Sequence, residues 1–158
     1  AAATAAAIAF PAVAQQAFVT ERNISFPAAL EMAIATRDKC RADGFAVTVT
    51  VLDRAGLTKI VLRDDGANPH TVENSMRKAF TSLTFRRPSG EWGRQNVANP
   101  ASVGALHLDR ITTLEGALPI RAGNEVIGSI GVSGAPGGDK DAACAQVGID
   151  RISKGLGG

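Results

Sequence analysis

The chain has 158 residues, with 17 Lys and Arg against 15 Asp and Glu and a net charge of +2. That balance excludes a polycationic face, and with six Phe, one Trp and no Tyr there is no basic run interleaved with aromatics; no nucleic-acid partner is expected. The length suits a single domain that buries roughly 70% of its unfolded surface without a metal or a disulfide framework.

Residues 1–16 read AAATAAAIAFPAVAQQ, an apolar run in which Ala12-Val13-Ala14 has the A-x-A form of a signal-peptidase site. Residues 1–14 are read as an export-signal remnant, which puts the protein in the periplasm or outside the cell; an Ala-rich N-terminal helix is the other reading. The run is too short for a membrane span, and none is expected. Ser25 as cap, Pro27 in the first turn and Gly44 as the stop predict a helix from Pro27 to Ala42, with Leu30, Met32, Ala33 and Ile34 as its apolar surface. Period-two, β-branched segments at 46–52 and 57–62, joined by Asp53-Arg-Ala-Gly56, predict a hairpin.

A second helix is expected from Thr71, as N-cap, to about Phe85, because Val72, Met76, Ala79, Phe80 and Leu83 recur at helical spacing before Arg86-Arg-Pro88 halts it. Pro and Gly break every periodic run between 89 and 110, which predicts short helical turns and loop. Short strands follow at 111–114 and 118–121, and Pro119 implies an edge position or a strand start for the latter. Gly123-Asn124 then turns into a longer strand at 126–133. Asp139 or Asp141 opens a final helix through Ile152, before a flexible tail at 154–158. Hairpins rather than βαβ crossovers argue for an α+β single domain, an antiparallel sheet packed with helices.

Cys40 and Cys144 fall near the end of the first long helix and inside the last. In an oxidising compartment they form one disulfide, whose loop of about 100 residues adds on the order of 4–5 kcal/mol in the chain-entropy model. Two buried free thiols are the alternative.

Four segments taken together, Val49–Gly56, Arg63–Glu73, Arg77–Pro88 and Gly116–Gly134, resemble the GlcG/HbpS-type haem-binding proteins, which are related to the C-terminal domain of PduO-type proteins. The resemblance spans residues 25–153. It implies a profilin-like antiparallel sheet of five strands, homo-oligomer assembly and, for some members, binding of haem or a corrinoid-related molecule. Glu115 departs from the Gly-rich look of many relatives at that place.

Within the segment Asp64-Asp-Gly-Ala-Asn-Pro-His-Thr-Val-Glu73, His70 has the chemistry to ligate haem iron as a neutral imidazole. Glu73 and Arg77 follow at helical spacing, so that Arg77 could hold a haem propionate or a small carboxylate, with Arg63 as a further ligand contact. The structural alternative is a solvated helix start in which Glu73 pairs with Arg77. His107 is read as a structural histidine in an apolar setting rather than a ligand, and no zinc-type spacing joins the two histidines to the cysteines. The glycines from 128 to 138 suit close packing and a sharp turn better than a phosphate loop. The expected function is an exported, haem-binding accessory protein. The alternatives are an isomerase, lyase or hydrolase that acts on a small carboxylate through His70 and Glu73, or a ligand-free assembly protein.

Overall fold

A four-stranded antiparallel sheet of order β2-β1-β4-β3 forms the centre of the computed structural model, which describes residues 17–157. The expected export segment, residues 1–14, lies outside the described residues. The strands are β1 Thr48–Asp53, β2 Thr58–Arg63, β3 Ala117–Ala122 and β4 Glu125–Ser133, with helices α1 Phe26–Ala42, α2 Thr71–Phe85, α3 Ser89–Asn96 and α4 Gly138–Ile152. Ser25 caps α1 through its side chain, as its position implies. β3 is an edge strand, in keeping with Pro119.

Helices α1 and α4 cover one face of the sheet, and Val49, Val51, Ile120, Ile130 and Val132 meet Met32, Ala33 and Ala145 there in a dry core. The same layer contains the Cys40–Cys144 disulfide, with Cα atoms 5.6 Å apart, inside the usual range of about 4.4–6.8 Å. α1 buries Ala29, Met32, Ala33, Thr36 and Cys40, so its inward face is rotated from the expected one. Ile34 is left 38% exposed.

Two further expectations fail. Residues 111–114 form no strand, so the sheet of the described residues has four strands rather than five. The backbone there is drawn to α2 instead: Thr112 N–H donates to Thr81 Oγ1 at 2.9 Å, and Thr81 Oγ1 donates back to Thr112 O. α2 also does not seat on its apolar stripe. Its buried residues are Thr71, Ser75, Lys78, Ala79, Thr81 and Ser82, whereas Val72 is exposed and Met76, Phe80 and Leu83 are half-buried.

The cause lies in the opposite sheet face. Thr48 and Thr50 of β1 present hydroxyls that meet Thr71 Oγ1 at 2.7 Å and Ser75 Oγ at 2.8 Å, and Ser129 Oγ of β4 donates to Ala79 O at 2.8 Å. These hydroxyls need partners once buried, and a helix face lined with Ser and Thr supplies them. Gly131 permits the close approach: a Cβ there would stand 2.2 Å from Ser75 O. α2 packs across β4, β1 and β3 and leaves Val61 of β2 48% exposed.

Candidate functional site

The loop between β2 and α2 is fixed before it reaches His70. Asp64 is buried and accepts a two-pronged hydrogen bond from the Arg41 guanidinium, while its other contacts hold the loop backbone at Asp65 and Ala67. Arg63 closes the same loop by donating to Ala67 O from Nε, at 3.0 Å, and from its terminal nitrogen. The chain then passes Pro69 into α2 with His70 at the capping position and Thr71 as the first helical residue, so the cap falls one place earlier than the expected Thr71. Thr71 Oγ1 is buried and donates to Asn68 O at 2.6 Å. His70 makes no side-chain capping bond to the helix it heads, and its ring is exposed.

The Arg41 hydrogen bond holds the Asp64 carboxyl below the usual carboxylate range, against the opposing effect of burial. A folded-state pKa below the unfolded one contributes stability above the unfolded pKa and loses it as pH falls through the folded value. Arg41→Ala should therefore flatten the acid limb of a plot of urea midpoint against pH. Parallel curves for the two proteins would show that the pair does not anchor this loop.

His70 stands between two shallow depressions and lines both, together with Asn74 and Leu114. One, of about 290 Å³, adds Glu73, Arg77 and Thr112. Glu73 and Arg77 pair at 2.8 Å there, so three residues expected at the site come together. Arg63 does not join them. His107 ends a 3-10 turn at Val103–His107 and is exposed, not seated in an apolar setting; it lines neither depression.

The second depression, of about 460 Å³, is walled by the β4–α4 turn from Ser133 to Gly138 and floored by Lys78 and Asp141. Sequence reading missed this pair. Lys78 is 3% exposed and donates to Asp141 Oδ2 at 2.8 Å and to Val132 O at 3.0 Å. Asp141 Oδ1 accepts the Ala135 N–H at 3.0 Å and so ties the turn to the pair. Burial pushes the Asp141 carboxyl up, with Lys78 opposing. Gly116, at φ +131°, makes room, since a Cβ there would lie 2.8 Å from Lys78 Nζ. The available signal was spacing: His70, Asn74 and Lys78 recur every four residues and share one side of α2. Asn74 Nδ2 donates to Ser133 Oγ at 2.9 Å and joins that side to the turn.

Another depression, of about 520 Å³, lies around Arg54, Phe80 and Glu125 near the other end of α2. Arg54 and Arg22 both pair with Glu125 and Arg54 also reaches Glu21, while Arg86, which lines it too, has no ion pair among the described residues. Among the described residues no group of three or more His, Cys, Asp or Glu side chains is placed to hold a metal ion. No described helix is long and apolar enough to cross a membrane.

The sequence model of the HbpS-like family, described as haem degrading protein HbpS-like, matches residues 24–150. The chain belongs to the HbpS-like family. It is 31% identical over 135 residues, 84% of this chain and 94% of the other, to a 15.0 kDa Citrobacter freundii protein encoded between dhaT and dhaS. A double mutant of Streptomyces reticuli HbpS superposes with a TM-score of 0.81 at 30% identity, covering 90% of this chain and 97% of that one. A PduOC:heme complex shares the fold, with a TM-score of 0.73 at 21% identity over 82% of this chain and 95% of its own. HbpS-like membership thus extends over the whole sheet, α1, α2 and nearly all of α4.

Proposed function

We propose that this protein binds haem at the rim shared by the two depressions, with His70 as the iron ligand. The observation that carries the reading is an exposed imidazole, free of any capping bond, at the junction of two concavities. The family description and the haem-complexed structural relative point to the same class of ligand. The residues present fit the group: His70 offers a nitrogen to iron, Arg77 a guanidinium to a propionate in exchange for its exposed pair with Glu73, and Leu114, 51% exposed and common to both depressions, an apolar contact for the macrocycle. Bound haem would supply the iron chemistry, and the chain would supply ligation and orientation. Acid–base chemistry on a small carboxylate is less well supported, because the Glu73 carboxylate is already engaged by Arg77.

Haem titrated into the wild-type protein should give a saturable Soret shift at concentrations on the order of micromolar, and His70→Ala should abolish it. No saturable shift, or the same shift in the variant, would rule out ligation by His70. Export is part of the proposal, supported by the Cys40–Cys144 bridge, since such bonds persist in oxidising compartments.

The protein also assembles into a homo-oligomer under this proposal. Its support is the flank that α2 leaves uncovered, where Leu57 is 66%, Val61 48% and Val72 38% exposed. An apolar strip of this kind beside half-buried Met76 and Leu83 marks an interaction surface. Light scattering should give a mass above that of one chain, with Val61→Lys shifting it down. A monomeric mass for the wild type at tens of micromolar would refute assembly.

A further inference from the structure

We propose that a groove between the C-terminal end of α2, the edge strand β3 and α4 binds a small organic anion that has an apolar body and at least two acidic groups. The groove has a volume of about 450 Å³, within the range of small-molecule sites, roughly 300–1,000 Å³. Its floor is Leu118 and Pro119 of β3 with Ile149 of α4, all half-buried, and its rim carries Arg86, Arg87 and Arg121 against one carboxylate, Glu91.

The three guanidiniums are not equivalent. Arg87 is committed: it donates to Gln95 Oε1 at 2.6 Å and lies 3.8 Å from Glu91. Arg121 donates to Arg86 O at 2.6 Å, which fixes its head without neutralising it. Neither Arg86 nor Arg121 is among the ion-paired arginines of the described residues. Two uncompensated guanidiniums above an apolar floor match the planar, bidentate recognition of carboxylate-like groups on an apolar body.

The backbone at Arg86 adds an independent observation. Arg86 closes α2 in the left-handed conformation, φ 56° and ψ 33°, where glycine is the ordinary residue and a side chain is disfavoured. Arg86 thus carries a charged side chain where glycine would be unstrained, and it lines this groove as well as the depression around Arg54. The groove lies roughly 20 Å along α2 from His70, so it is not an extension of the proposed haem rim.

The test is calorimetric titration with naphthalene dicarboxylate, with its uncharged diamide as control, while the fluorescence of Trp92 is followed. Trp92 is the sole tryptophan and stacks on Phe85, next in sequence to Arg86, with ring centroids 4.3 Å apart. The dicarboxylate should bind one to one and change the fluorescence, and the diamide should not bind. Arg86→Gly, which suits the left-handed turn and so preserves the fold, and Arg121→Gln should each weaken binding about tenfold. Absence of saturation, equal affinity in these variants, or loss of binding in His70→Ala would overturn the proposal. Tighter binding of an acidic peptide at the same residues would overturn it too, by assigning the groove to a protein partner.

Discussion

Lys78→Ala should cost about 3–5 kcal/mol of stability, because it leaves Asp141 as an uncompensated buried charge. Lys78 and Asp141 are 3% and 2% exposed, so each depends on the other for most of its compensation. The loss should depend on pH in a defined direction. Burial already pushes the Asp141 carboxyl up in the intact protein, and Lys78 opposes that push; without the ammonium the folded-state pKa rises further. A group whose folded pKa exceeds its unfolded one gives up stability as pH rises through the folded value. The deficit of Lys78→Ala relative to wild type should therefore be largest near neutrality and shrink as the solution is acidified toward the ordinary carboxylate range. Urea denaturation of both proteins at several pH values measures it, and a deficit constant with pH would show that Asp141 is not the stranded charge. Lys78→Met combined with Asp141→Asn should recover most of the loss, since asparagine still accepts the Ala135 N–H that Asp141 Oδ1 now holds.

Removing the Cys40–Cys144 bridge should have an effect of similar size through a different route. The bond spans 104 residues of sequence, so breaking it frees a long loop in the unfolded ensemble. The chain-entropy model assigns about 4–5 kcal/mol to a loop of that length, and measured losses for native bridges run about 2–5 kcal/mol. For a chain of this size that corresponds to a fall in Tm of about 10 °C. Cys40→Ala/Cys144→Ala should show this fall in calorimetry, and wild type heated with reductant should approach it. A double variant that melts within about 2 °C of wild type would mean that strain in the folded state offsets the gain. Because the bridge joins α1 to α4 on the face away from α2, haem titration of the variant at room temperature should match wild type wherever the fold persists.

Much of the architecture was legible because local signals agreed with the tertiary result. Ser25, Pro27 and Gly44 frame α1 without reference to the rest of the chain, Gly123-Asn124 signals a tight turn between two strands, and Pro119 favours an edge or a strand start, of which β3 takes the edge. The failures at residues 111–114 and at α2 share one cause. Residues 111–114 carry the composition of a strand, but Thr81 offers them a partner on α2 that competes with a sheet edge. The apolar stripe of α2 misled for the same reason, because the sheet face opposite it is built from Thr48, Thr50 and Ser129, and buried hydroxyls select a polar helix face.

The site divides in the same way. His70, Glu73 and Arg77 are joined by helical spacing, and the structure puts them at one rim. Arg63 is close in sequence, but its own loop has a free carbonyl at Ala67 that satisfies it first. Lys78 and Asp141 lie 63 residues apart, a pairing that no local pattern encodes.

The hydroxyl seam beneath α2 has a mechanical consequence. Each Thr–Thr and Thr–Ser contact acts as a tooth engaged with its counterpart on β1, and Ser75 rests directly over Gly131. To slide the helix along its axis, all the teeth would have to disengage at once in a place that water cannot lubricate. A guest that arrives at His70 therefore meets a stationary axle and a loop already pinned at Asp64 and Ala67, so amide exchange upon loading should leave the body of α2 silent.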